Sequence, residues 1–222
     1  EATKTSSLAD IKQSLMRIQE KNLRDYIIEK ICFFSLTQKD DKNYDVLLSL
    51  ISQTVIQSRS ALLLVEYFIQ INNLEKAKNM LPQISFPAQK DMANSLVAIA
   101  YSEIVDYERS IYYLNEINEF ELKEKTIKNI LSKFIEKSLF KIAFEYLNML
   151  STQKDYDQAL LIFIEQYMKE KKYSTANQLF EGINTPEIKE DALYLIAKGY
   201  AQDGNEDGVN LAINYINDIN KK

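Results

Sequence analysis

A pair of apolar residues recurs seven times along this chain at a fixed spacing of 33 residues. In each pair a large apolar residue is followed three positions later by Ile or Leu, although only 46% of the chain is apolar. A period of this length is typical of stacked supersecondary units, none of which can bury its apolar face alone. The pairs are Leu15/Ile18, Leu48/Ile51, Leu81/Ile84, Leu114/Ile117, Leu147/Leu150, Phe180/Ile183 and Ile213/Ile216.

The period divides the chain into repeats. Residues 1–24 carry the second half of one repeat, and six full repeats follow it. We therefore predict a single repeat domain over residues 1–222. The full repeats are 25–57, 58–90, 91–123, 124–156, 157–189 and 190–222.

Within each repeat, apolar residues recur three and four positions apart in two blocks, which is the spacing of amphipathic helices. Asn73, Asp106 and Asn205 lie between the blocks and are residue types that cap helix N-termini. Pro87 and Pro186 fall in the links between repeats, where proline can open a helix. The pattern predicts an all-α fold of helical hairpins, with a longer helix A followed by a shorter helix B.

Two residue columns support this register. The eleventh position is nearly always aromatic, and the twentieth is mostly small, as expected where a neighbouring ring needs room. We predict that both belong to the core, together with the eighth position, where Cys32 is expected to be a buried and inert thiol. The eleventh positions are Ser35, Phe68, Tyr101, Phe134, Tyr167 and Tyr200; the twentieth are Tyr44, Ala77, Ser110, Ala143, Ala176 and Val209.

These spacings resemble the tetratricopeptide repeat (TPR), which combines aromatics at positions eleven, seventeen and twenty-four with Ala at twenty. Tyr107, Phe140 and Tyr173 supply the aromatic at seventeen, and residues 106–111 look like the inter-helix turn of the family. The repeat is one residue shorter than the usual TPR, and the late proline of the family is absent. A degenerate TPR-like family is therefore an equal alternative to true TPR. The resemblance implies a right-handed α-solenoid in which helix A lines the concave face.

Composition argues against several functional classes. The chain has no His and one Cys, and it lacks a Gly-rich phosphate loop and a nucleophile elbow, so we expect no catalytic residue, cofactor or metal. A net charge of −5 disfavours nucleic acid, and no apolar run is long enough to cross a membrane. The sequence does not determine the cellular compartment of the protein. The single Cys and the lack of a signal segment favour the cytoplasm, but the absence of an initiator Met leaves room for residues upstream.

If the repeats stack as in TPR, positions two, five, nine and thirteen of helix A are expected to point into a groove. This surface mixes apolar residues with both signs of charge, and Leu62, Ile99, Leu161 and Tyr194 could anchor an amphipathic helix or an extended peptide. In an equally weighted interpretation, Ile99 and Leu161 extend the core and the charges are only solvated. The predicted partner-binding residues are Arg59, Leu62, Glu66, Met92, Ile99, Lys125, Lys128, Leu161, Glu165, Tyr194 and Lys198.

The sequence thus predicts a non-enzymatic scaffold that binds a protein or peptide of unknown identity on its concave face. The alternative is a spacer or dimerisation module of a longer protein with no ligand in the groove. The N-terminal half repeat supports this alternative, because its apolar face needs a cover from further residues, a partner or a second copy. An RNA-binding helical repeat is a third possibility, and the negative charge disfavours it.

Overall fold

A computed structural model describes residues 8–37 and 44–219, and over these residues the protein is helical throughout and contains no strand. The predicted all-α fold class is confirmed. Long helices of 17 residues alternate with shorter ones. The long helices are α2 (Lys21–Thr37), α4 (Thr54–Gln70), α6 (Pro87–Glu103), α8 (Phe120–Glu136), α10 (Gln153–Lys169) and α12 (Pro186–Gln202).

The shorter helices follow the same alternation, and a 3₁₀ turn (Leu81–Gln83) extends one of them. Proline at position 82 lacks the N–H that a continuing α-helix would use, which explains the change of helix type there. The shorter helices are α1 (Leu8–Met16), α3 (Tyr44–Ser49), α5 (Leu74–Met80), α7 (Tyr107–Asn115), α9 (Phe140–Leu147), α11 (Tyr173–Glu181) and α13 (Glu206–Ile219).

Helix starts recur every 33 residues in all six long helices and in the five short helices from α5 onward. The repeats drawn from the sequence begin at the fifth residue of each long helix, so a hairpin starts four residues earlier than the repeat. The structure divides into two compact units, unit 1 (Glu1–Lys123) and unit 2 (Glu124–Lys222). In unit 1, α4 packs against α2, α5 and α6; in unit 2, α10 packs against α11 and α12.

The predicted helix caps are confirmed. The side chains of all three predicted N-cap residues accept a backbone N–H from the first turn of a short helix, and Pro87 and Pro186 are the first residues of α6 and α12. These caps satisfy N–H groups that a helix start leaves free. The bonds are Lys76 N–H to Asn73 at 3.2 Å, Arg109 N–H to Asp106 at 3.2 Å and Gly208 N–H to Asn205 at 2.9 Å.

Every described turn from a long helix to the next short helix contains a residue in the left-handed region. The following N–H donates back to the carbonyl of the eleventh-position aromatic, as in the Schellman motif. Gly204 adopts this conformation without strain, whereas Val105 is β-branched and therefore disfavoured there. The φ angles are 57° at Asn72, 62° at Val105, 56° at Ser138, 59° at Lys171 and 69° at Gly204.

The predicted core columns are confirmed except at Ser35, Ala197 and Val209, which are half-buried. All five aromatics of the eleventh position are buried, and Ala77, Ala143 and Ala176 are fully buried opposite them. Cys32 is also buried; this burial, with a smaller effect of the nearby Glu29 carboxylate, raises the pKa of its thiol to about 12. The thiol therefore stays protonated and unreactive at neutral pH.

A column of buried acceptors, which we call the acceptor column, ties each hairpin to the next. Its members are the fifth residues of five successive long helices, and each accepts backbone N–H bonds from one or both of the two residues that precede the next long helix. These N–H groups lie outside any helix and need an acceptor. The acceptor column is Asp25, Ser58, Asp91, Glu124 and Asp157.

Aspartate makes the most complete version of this contact. Asp157 accepts the N–H of Asn184 at 3.0 Å, the N–H of Thr185 at 2.7 Å and the Thr185 hydroxyl at 2.6 Å. Glu124 accepts only the Ser151 N–H, at 3.2 Å, and its second carboxylate oxygen is buried without a hydrogen-bond partner. The additional methylene group of Glu124 therefore leaves a buried polar atom unsatisfied.

We expect Glu124→Asp to stabilise the protein by about 0.5–1.5 kcal/mol, because the shorter side chain can accept two N–H groups as Asp157 does. The reciprocal change, Asp157→Glu, should destabilise it by a similar amount. Urea unfolding followed by circular dichroism measures both free energies. If both substitutions stabilised the protein, or both destabilised it, the proposed difference between Asp and Glu in the acceptor column would be contradicted.

The acceptor column also predicts a pH dependence. Burial alone raises the pKa of Asp25 and Asp157, but hydrogen bonds outweigh it and lower the pKa of both carboxyls below the ordinary 3.8. These bonds come from the residues before the next long helix and, for Asp157, also from the Gln153 side chain. A lowered folded-state pKa stabilises the fold above the ordinary value, and this contribution is lost as the pH falls. Urea midpoints should therefore drop from about pH 5 to about pH 3 more steeply in the wild type than in Asp25→Asn/Asp157→Asn. Asp191→Asn, at an exposed site, should keep the wild-type slope.

Candidate functional site

The predicted partner-binding residues of unit 1 lie on α4 and α6. Arg59 crosses from α4 to α2, where its guanidinium pairs with the buried Glu29 carboxylate at 2.6 Å. This pair shows that positions two and five of neighbouring long helices meet. Met92 is 48% exposed, and Glu66 and Ile99 are half-buried.

Leu62 differs from its predicted role as an exposed anchor, because only 8% of its surface is accessible. Glu29 and Ser95, at the same position in the neighbouring repeats, are equally buried. Position five of unit 1 therefore faces the seam between neighbouring long helices. Leu62 is therefore buried beneath the exposed side chains of these helices.

The exposed side of the same three helices carries apolar residues outside the predicted set. Tyr26 and Phe33 lie two turns apart on α2, and Val55 lies in the first turn of α4; each is about half exposed. Tyr26 and Phe33 occupy positions two and nine of the first full repeat, so the helical spacing was the signal for both. Val55 precedes the repeat as drawn and gave no such signal.

In unit 2, the predicted residues are spread over α8, α10 and α12. The Lys128 ammonium donates to Asp155 at 2.7 Å, and this bond is the main reason why the pKa of the Asp155 carboxyl is lowered. Lys125 is exposed, Leu161 is half-buried and Tyr194 is 64% exposed. Lys128 is thus already paired, whereas Tyr194 is available for contact.

A small cleft of about 80 Å³ between α10 and α12 brings together Glu165 and Lys198, both predicted partner-binding residues. Glu165 pairs with Lys169 on its own helix at 2.9 Å. Gly199 allows the helices to approach, because a Cβ there would lie 2.5 Å from the Met168 methyl carbon. The cleft can accept a side chain of a partner and is too small for a cofactor.

A second cleft, of about 290 Å³, lies beside α1 and α2. Its walls are mostly apolar, with Ile11, Leu15, Ile18, Ile27 and Ile31 among the lining residues. It corresponds to the N-terminal apolar face identified in the sequence.

Across residues 8–37 and 44–219 there is no group of three or more His, Cys, Asp or Glu that could hold a metal ion. In that same part of the chain, no helix has the length and hydropathy required for crossing a membrane. The surfaces described above can act by contact, through apolar area and charge.

Comparison with known proteins adds no assignment. No protein-family model, curated protein or solved structure matches the chain.

The different exposure of two predicted anchors gives a direct prediction. Leu62→Asp should lower the free energy of unfolding by about 3 kcal/mol or more, because it places an unpaired carboxylate in a buried site. Tyr194→Asp should change it by less than about 0.5 kcal/mol, because the site is exposed. Urea unfolding measures both values, and a similar loss in the two variants would contradict the assigned burial.

Proposed function

We propose that this chain is a non-enzymatic, TPR-like scaffold that binds a segment of another protein along its long helices. The observation that carries the proposal is the exposure of large side chains at predicted groove positions of the long helices, notably Met92 at position two in unit 1 and Tyr194 at position five in unit 2. Large exposed apolar side chains on a rigid framework are typical of protein-binding surfaces.

The finer architecture is part of the same proposal. We propose that successive hairpins within each unit stack as an α-solenoid, with the long helices forming the binding face. The recurrence of helix starts, the packing of α4 between α2 and α6, and the acceptor column support this arrangement. A right-handed superhelix over residues 1–222 stays a prediction.

The acceptor column also bears on affinity. Within each unit it fixes the start of a long helix relative to the preceding one, so the exposed side chains are positioned before a ligand arrives. A partner then loses less free energy to ordering of the scaffold.

A second candidate function is a structural module that pairs with another copy or another domain. The apolar cleft beside α1 and α2 favours it, because apolar surface of this kind is a common contact site. In that case the long-helix faces would bind nothing.

The test uses the variant Met92→Ser/Tyr194→Ser. We expect it to lose at least about tenfold in affinity for a partner recovered with the wild type, because exposed apolar anchors dominate such contacts. A photo-crosslinking residue at either position should label that partner. Circular dichroism should show unchanged helicity.

Tyr112→Ser is the matched control, because Tyr112 is 59% exposed but lies on the short helix α7. It should keep the partner. Retention of every partner by Met92→Ser/Tyr194→Ser would favour the structural module instead, and equal loss in Tyr112→Ser would rule out a specific role of the long-helix faces.

A further inference from the structure

We propose that the apolar cleft beside α1 and α2 binds one amphipathic α-helix of another protein, in the way that a long helix of this chain packs against the hairpin after it. The inference concerns a surface separate from the long-helix faces, so it does not depend on the scaffold function. It goes beyond the second candidate function by naming the kind of partner. We call this surface the N-terminal cleft and define it by Ile11 and Leu15 of α1, Ile18 of the link, and Ile27 and Ile31 of α2.

The N-terminal cleft lacks a cover that the later repeats have. Ile31 is half-buried, whereas its equivalents in the next five repeats are at most 2% exposed. Ile18 is also half-buried, although four of its five described equivalents are buried. The equivalents of Ile31 are Leu64, Val97, Ile130, Phe163 and Ile196, and the buried equivalents of Ile18 are Ile51, Ile84, Ile117 and Ile183.

The missing cover corresponds to a preceding long helix. Among the described residues α12 is the last long helix, and Ile196 is nevertheless buried, so its cover comes from α10, α11 and α13, which contact α12. The helix α2 contacts the corresponding short helices, α1 and α3, and the following long helix α4. A preceding long helix is therefore the element that α12 has and that α2 lacks in the part of the chain described.

The link before α2 also has free hydrogen-bond donors. Asp25 accepts the N–H groups of Ser52 and Gln53, which precede α4. Gln19 and Glu20 precede α2 at the same positions. Both are exposed, and their N–H groups donate to no residue that the structure describes. A docked helix with Asp as its fifth residue would bind these two groups, as the acceptor column does in later repeats.

Ile27 adds a requirement for a small residue on the docked helix. The same position holds a buried Ser, Ala or Thr in the five later repeats, whereas Ile27 is larger and half-buried. Ile fills space that a smaller residue leaves to the neighbouring helix. The docked helix therefore needs a small side chain, such as Ala, opposite Ile27. The equivalents are Ser60, Ala93, Thr126, Ala159 and Ala192.

A separate helix fits the N-terminal cleft better than a second copy of the chain does. The docked helix has to contact α1 as a long helix contacts the short helix that follows it. A helix outside a hairpin is free to make this contact, whereas most long helices of a second copy already pack against a short helix of their own. These are α2, α4, α6, α10 and α12.

The test uses the whole chain and a synthetic peptide with the sequence of α6, residues 87–103. This helix has Asp91 as its fifth residue and carries several small residues, including Ala93 and Ala98. In fluorescence anisotropy the peptide should bind saturably, and the Asp91→Ala peptide should bind at least about tenfold more weakly, because it cannot accept the two N–H groups. Ala favours a helix more than Asp does, so weaker binding would not reflect lost helicity. Equal binding of both peptides, or no binding, would overturn the proposal.

Two variants of the chain locate the binding. Ile31→Ser should weaken binding of the α6 peptide at least about tenfold, with helicity by circular dichroism unchanged. Met92→Ser/Tyr194→Ser is the control and should bind the peptide as the wild type does, because neither residue lines the N-terminal cleft. Full binding by Ile31→Ser, or loss of binding in the control, would overturn the assignment to this cleft.

Ile18→Cys gives a second measurement. The native Cys32 is buried and its pKa is raised to about 12, so iodoacetamide should modify the introduced thiol selectively. The α6 peptide should slow this modification at least about fivefold, and the Asp91→Ala peptide at the same concentration should slow it less. A thiol that is already protected in the free monomer would show that the chain itself covers the N-terminal cleft and would overturn the proposal.

Other occupants give different results. A dimer in light scattering that Ile31→Ser abolishes would assign the N-terminal cleft to a second copy and overturn the proposal. If the α6 peptide does not bind but a protein partner still depends on Met92 and Tyr194, the scaffold function stands and only this inference is wrong.

Discussion

The interaction on which this architecture depends is a buried acceptor that reaches across one hairpin to the start of the next. Asp25 and Asp157 each accept both N–H groups that precede the following long helix. Apolar burial brings helices together but does not fix their register, because it has no direction. Hydrogen bonds to specific N–H groups do have direction. Within each unit they therefore position a long helix against the one before it and set which side chains remain exposed.

Much of the local structure could be predicted from the sequence. The hydrogen bonds of the acceptor column could not, because they join residues far apart in the chain. Asn73 and Asp106 could be assigned as caps because their bonds are made within one turn. Asp157 gives no such local signal, because its partners are 27 and 28 residues away. The repetition of Asp, Ser or Glu at the first position of every repeat was the available signal.

The candidate surface was only partly predictable for a related reason. Helical spacing identifies which residues share one side of a helix, but exposure also depends on the neighbouring helix. Leu62 and Tyr194 occupy the same position of their repeats, and yet one is buried and the other is 64% exposed. The Arg59–Glu29 ion pair likewise joins two helices and cannot be predicted from the sequence of either helix alone.

The acceptor bonds also bear on how such a chain can change length. Each bond joins equivalent sites of consecutive repeats, so a tandem duplication or a deletion of one whole period would restore every donor and acceptor, wherever the cut falls. An insertion of any other size inside a period would separate one acceptor from its donors. Duplication within the gene is therefore compatible with this backbone only in steps of one period, and each step would add one long helix and one short helix.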